Sequence, residues 1–132
     1  MRVTMPSKLS LGFGKELHHL LAEMAEQSGR HLGEQSVFLL EVMLSVIERQ
    51  PDFPLQTGNE IPSDVAHHQG KISCCPSLIS KLGEVSRSYG ISRQQIIRVL
   101  LFSGIKHLEG HRKLAQKEVL IEYILGHYNV AI

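Results

Sequence analysis

The chain carries one short pattern twice, 61 residues apart. The first copy reads KLSLGF, then KELHHLLAEMAEQSG, then EQSVFLLEVMLSVIE. The second reads QGKISC, then PSLISKLGEVSRSYG, then SRQQIIRVLLFSGIKHL. Each copy gives an alternating segment, an amphipathic helix closed by a glycine, and a more apolar second helix. A unit of this size cannot bury its own apolar face, so the repeat predicts that the two copies pair within one chain.

At 132 residues the chain is long enough for one domain built from two interdependent halves. Apolar residues make up 42% and Trp is absent, which predicts an aliphatic helical core. No run of apolar residues reaches the length of a membrane span and no signal-peptide pattern opens the chain, so a cytoplasmic location without membrane contact is the expectation. The net charge of +1 hides an uneven distribution. Residues 71–132 hold nine Lys/Arg against four acids, and residues 50–70 hold three acids and no Lys/Arg. The second half is the basic one.

In the first copy, Leu9, Leu11 and Phe13 alternate with Lys8, Ser10 and Gly12, the period of a strand. A first helix over about Lys15–Ser28 places Leu17, Leu20, Leu21 and Met24 on one face, and Gly29 suits a left-handed C-cap. A second helix over roughly Gly33–Gln50 is apolar on more than one side, through Val37, Leu40, Leu44 and Ile47 with Phe38, Leu39 and Met43. Residues 51–68 form a linker in which Pro51 and Pro54 end the helix, and Phe53, Leu55, Ile61 and Val65 are candidates to pack down. In the second copy, Ile72 and Cys74 alternate with Gln69, Lys71 and Ser73; Pro76 opens a helix that stops at Gly90, and Ser92 is an N-cap for the next. Gly104 inside that helix costs about 1 kcal/mol against Ala, which argues for a close helix crossing. A fifth segment, about Arg112–Leu125, has no counterpart in the first copy.

Laid over each other, the copies match at buried-type positions: Leu17 with Leu78, Leu21 with Leu82, Gly29 with Gly90, Leu40 with Leu101 and Leu44 with Ile105. The second-helix start matches less well, since Gln94 and Ile96 fall on Gly33 and Gln35, and this predicts a different interhelical turn in the first copy. A lone six-residue strand needs a partner for its backbone groups, so the two alternating segments are expected to pair antiparallel, with four helices beneath. The far face of such a ribbon would present Lys8, Ser10, Gly12, Gln69, Lys71 and Ser73. A two-stranded ribbon fits the major groove of duplex DNA, and Lys, Gln and Ser can bond to base edges.

The stretches SKLSLGFGKELHHLLAEMAEQSGR and GKISCCPSLISKLGEVSRSYGISRQQIIRVLLFSGIKHL resemble the ribbon-helix-helix family of DNA-binding proteins over roughly residues 7–49 and 69–108. The arrangement is similar to the rarer tandem form, found among accessory proteins of conjugation and T-DNA transfer. The implied fold is mainly α with a two-stranded antiparallel β-ribbon. Two ribbon-helix-helix units, residues 1–50 and 69–110, would be fused as an intramolecular pseudo-dimer, followed by a C-terminal helical extension over 111–132. The resemblance implies that Lys8, Ser10 and Gly12 in the first copy, and Gln69, Lys71 and Ser73 in the second, read bases, with Gly12 a departure from the frequent polar residue. It also implies that the second-helix starts clamp phosphate, here at Gly33 and at Ser92, Arg93 and Gln94. Glu34 would oppose a phosphate, so the second copy is expected to carry more of the contact. The implied role is a transcriptional regulator, as of a plasmid, or a DNA-processing and transfer accessory protein, whose partner is double-stranded DNA.

Other chemistries fit less well. The adjacent pairs His18–His19 and His67–His68, with His31, Cys74 and Cys75, lack the spacing of a metal site, and no metal or other cofactor is expected. Cys74 is expected in the core under the ribbon and Cys75 partly exposed, with nothing near them strongly placed to lower a thiol pKa. There is no phosphate loop, carboxylate pair or nucleophile constellation, so the chain is not expected to be an enzyme. The alternative is a protein-interaction module that docks partners, or a second copy, through the apolar C-terminal helix around Val119–Leu125, with little or no DNA binding.

Overall fold

The computed structural model describes the backbone of residues 7–13, 15–55, 68–107 and 116–130, and side chains over 16–55, 75–107 and 116–126. Five helices follow the expected periodicities: α1 (Lys15–Ser28), α2 (Leu32–Arg49), α3 (Pro76–Tyr89), α4 (Arg93–His107) and α5 (Lys117–Val130). Two extended segments, β1 (Ser7–Phe13) and β2 (His68–Cys74), precede α1 and α3 and run antiparallel to each other.

The expected fold class needs correcting in its β component. Among the residues described with their side chains, 83% lie in the five helices and none lies in a strand, so the fold that can be read is helical. The pairing of β1 with β2 is a statement about backbone alone, and the outward and inward faces expected of a ribbon lie outside the described side chains. The physical reason is that two short strands bury too little to organise a core, which here comes from helices. Apart from Phe53, every buried apolar residue described sits on a helix.

The starts of the elements repeat the offset of the sequence: Ser7 and His68, Lys15 and Pro76, Leu32 and Arg93 each differ by 61. The counterparts Leu21 and Leu82 are fully buried, as are Leu40 and Leu101. The first helices pack on the second within each half, α1 on α2 and α3 on α4, and α2 packs on α4 between the halves. This last contact is the seam that makes one core from two incomplete ones.

The expectation of a different interhelical turn in the first copy is not met. Gly29 and Gly90 have φ of 69° and 70°, the left-handed conformation that a side chain disfavours. Arg30 N–H bonds to the Ala25 carbonyl at 2.9 Å, and Ile91 N–H bonds to that of Ser86 at 3.1 Å. These are the same six-residue closure, 61 residues apart. A left-handed glycine followed by a two-residue connection sets the turn, and both copies have it, so the mismatch at Gln35 and Ile96 is absorbed by side chains.

After α2, the chain turns at Pro51 and buries Phe53, whose ring lies 4.9 Å from that of His107. Leu55 is half-buried, whereas Ile61 and Val65 lie outside the described residues. Helix α5 begins at Lys117, later than the sequence pattern implies, and residues 111–115 lie outside the description. It packs on α2 through buried Leu120, Ile121 and Ile124. Lys117 Nζ reaches Glu41 at 3.2 Å, and Arg49 Nη2 donates to Glu118 Oε2 at 3.0 Å. No described helix is long and apolar enough to cross a membrane.

Candidate nucleic-acid interface

The six residues assigned to base reading fall on β1 and β2, and the strand register brings them together in pairs. Lys8 is opposite Ser73, Ser10 opposite Lys71, and Gly12 opposite Gln69. Their side chains are outside the described set, so the register is what the structure says of them. Cys74, expected beneath the ribbon, is likewise outside the described side chains.

The four assigned phosphate contacts lie at two helix starts. Ser92 is exposed and its hydroxyl accepts the Gln95 N–H at 3.1 Å, the N-cap bond expected for that residue. Arg93 is exposed in the first turn of α4, and no ion pair holds it among the described residues. Gln94 beside it is half-buried. There is no acid in this first turn, so the positive end of the helix and the guanidinium act in the same sense.

The start of α2 is built differently. Gly33 is half-buried, and the next residue, Glu34, accepts the His31 backbone N–H at 3.3 Å. His31 Nε2 lies 3.9 Å from the same carboxylate. The carboxylate therefore occupies the helix end that an incoming phosphate would use, and it carries the same sign of charge. Behind it, Gln35 is buried where the second copy has Ile96. Its side-chain oxygen accepts from Arg30 Nη1 at 3.1 Å, and the Arg30 guanidinium lies 4.0 Å over the Phe38 ring. Arg30, His31, Gly33, Glu34, Val37 and Phe38, with Glu41, line an open groove of about 620 Å³. Sequence reasoning gave Arg30 no role, and the one signal for it was a polar Gln35 at a position where the other copy is apolar.

Cys75 forms the N-cap of α3 and is exposed. Its thiol lies 3.2 Å from the Ser77 hydroxyl, and that hydrogen bond, with lesser help from the Leu78 and Ser77 N–H groups, holds its pKa below the ordinary thiol value. The reason is local: a residue at a helix start faces N–H donors and, here, a serine two positions on. Among the described residues no group of three or more His, Cys, Asp or Glu side chains could hold a metal ion.

Comparison with protein-family models, with curated proteins and with solved structures gives no match to this chain.

Proposed function

We propose that the chain binds double-stranded DNA sequence-specifically, laying the paired β1 and β2 segments in the major groove, as a transcriptional regulator or a DNA-processing accessory protein. The observation that carries the reading is the strand register. The register sets Lys8 opposite Ser73, Ser10 opposite Lys71 and Gly12 opposite Gln69, residue types able to meet base edges. The α4 start adds a cationic, acid-free helix end suited to a backbone phosphate. Glu34 at the α2 start opposes one, so the second half carries the larger share and the preferred site departs from a perfect palindrome.

The alternative, a docking module built on α5, has less surface to use. Leu120, Ile121 and Ile124 are spent on the core, and Val119 is the large apolar residue of that helix left exposed among those described.

The test is binding of the full chain to a pool of random-sequence duplexes, followed by selection and a salt series on the selected site. Affinity should fall steeply with salt, and the Lys71→Ala/Arg93→Ala double variant should bind more weakly with a log–log salt slope shallower by about one, from the lost Arg93 phosphate contact. Unchanged affinity and slope in the double variant would remove the assigned surface. No duplex binding by the parent would remove the DNA reading altogether and leave the α5 docking module.

A further inference from the structure

The seam between the halves is not symmetric, and its asymmetry is one of size. Gly104 lies in the last turn of α4, which packs against α2. A Cβ placed there would sit 2.8 Å from Leu39 Cδ1, 3.0 Å from Leu39 Cγ and 3.1 Å from Met43 Cγ. A Cβ there would force Leu39 and Met43 to give way, which accounts for a residue otherwise unfavourable in a helix at this crossing.

The counterpart of Gly104 at the 61-residue offset is Met43, and the counterpart of Leu39 is Leu100. Leu39, Met43 and Leu100 are all fully buried. Gly104 thus meets its own counterpart, as residues near a two-fold axis do, and the space on the axis holds one methionine side chain and no second one. Pairing two first halves would bring two methionines to that place. Pairing two second halves would bring two glycines and leave a hole. Size is also exchanged between counterparts at two further buried positions, Ser36 with Ile97 and Val42 with Ser103.

We propose that the inner faces of α2 and α4 are complementary to each other and reject their own kind. The partner of the first half is a second half, from the same chain or by exchange with a second copy, and like halves do not pair. The two different surfaces described above are thereby always presented together. This proposal stands apart from the DNA reading, and its test does not use DNA.

The test is a pair of mutant cycles on the full chain, read by urea unfolding. Gly104→Met and Met43→Gly should each lower the folding equilibrium constant by about tenfold or more, and the exchange Met43→Gly/Gly104→Met should recover at least about tenfold over the product of the single effects. In case Gly104→Met does not fold, a milder cycle decides alone. Gly104→Ala should be a loss in the parent and a smaller loss once Met43→Ala has removed the 3.1 Å neighbour, the Leu39 contacts remaining in both backgrounds. Effects that simply multiply, or an exchange variant no more stable than its worse single parent, would overturn the proposal.

Discussion

The turn from α1 to α2 and the turn from α3 to α4 share a backbone and differ in what they place at the start of the next helix. Both close on a left-handed glycine, Gly29 or Gly90, and both return an N–H to a carbonyl five residues back. After that they part. The second half caps α4 with a neutral serine and follows it with an exposed arginine. The first half caps α2 with the Glu34 carboxylate, and buries Gln35 against Arg30 where its counterpart buries Ile96. A duplicated unit keeps its backbone because turn geometry and core periodicity tolerate little change. It diverges at positions where a side chain can find a new partner without moving the chain.

If the halves share one core, they should fail together. Leu21→Ala and Leu82→Ala remove fully buried counterparts, and each should cost about 3 kcal/mol in urea unfolding, within a single cooperative transition. Two separate transitions, or one variant near neutral, would break the equivalence of the two halves.

The turns supply the next largest effect. An added Cβ at Gly29 or Gly90 meets nothing within 4 Å, so the loss on Gly29→Ala and Gly90→Ala comes from the left-handed backbone alone. Each should cost about 1–2 kcal/mol, and the two values should agree. A clear inequality would show that the shared φ conceals different environments.

The caps should separate the halves by the smallest margin. Ser92→Ala removes the acceptor of the Gln95 N–H and should cost about 1 kcal/mol. Glu34→Ala removes an exposed, longer contact and should cost less than about 0.5 kcal/mol, falling further with added salt. Thermal unfolding in low and high salt reads both, and a salt-dependent loss larger for Ser92→Ala would reverse the assignment.

Several features are legible in the order of residues because they depend on local chemistry. Helix periodicity locates α1 to α4, the glycines at 29 and 90 mark the turns, and Ser92 marks a cap. Gly104 is legible as a close crossing because a glycine in a helix interior needs a packing reason. The paired segments are legible as backbone, while the prominence of a ribbon in the expected fold class is not sustained by the described side chains. The site is legible as residue types at two helix starts. What escapes is who meets whom: Arg30 with Gln35 and Phe38, or the Cys75 thiol with Ser77. The different turn expected from the Gln35 mismatch fails for the same reason, since a buried polar residue can be satisfied by a neighbour that periodicity does not reveal.

The amino-acid order alone establishes two like units, their helices, and the positions each must bury, because apolar spacing and glycine placement act within a few residues. It does not establish that α5 rests on α2 through Leu120, Ile121 and Ile124, or that Met43 fills the space left by Gly104. Those are contacts across the chain, decided when the halves close on each other and the available volume is shared out. A repeat specifies two similar faces; close packing determines that each accepts the other.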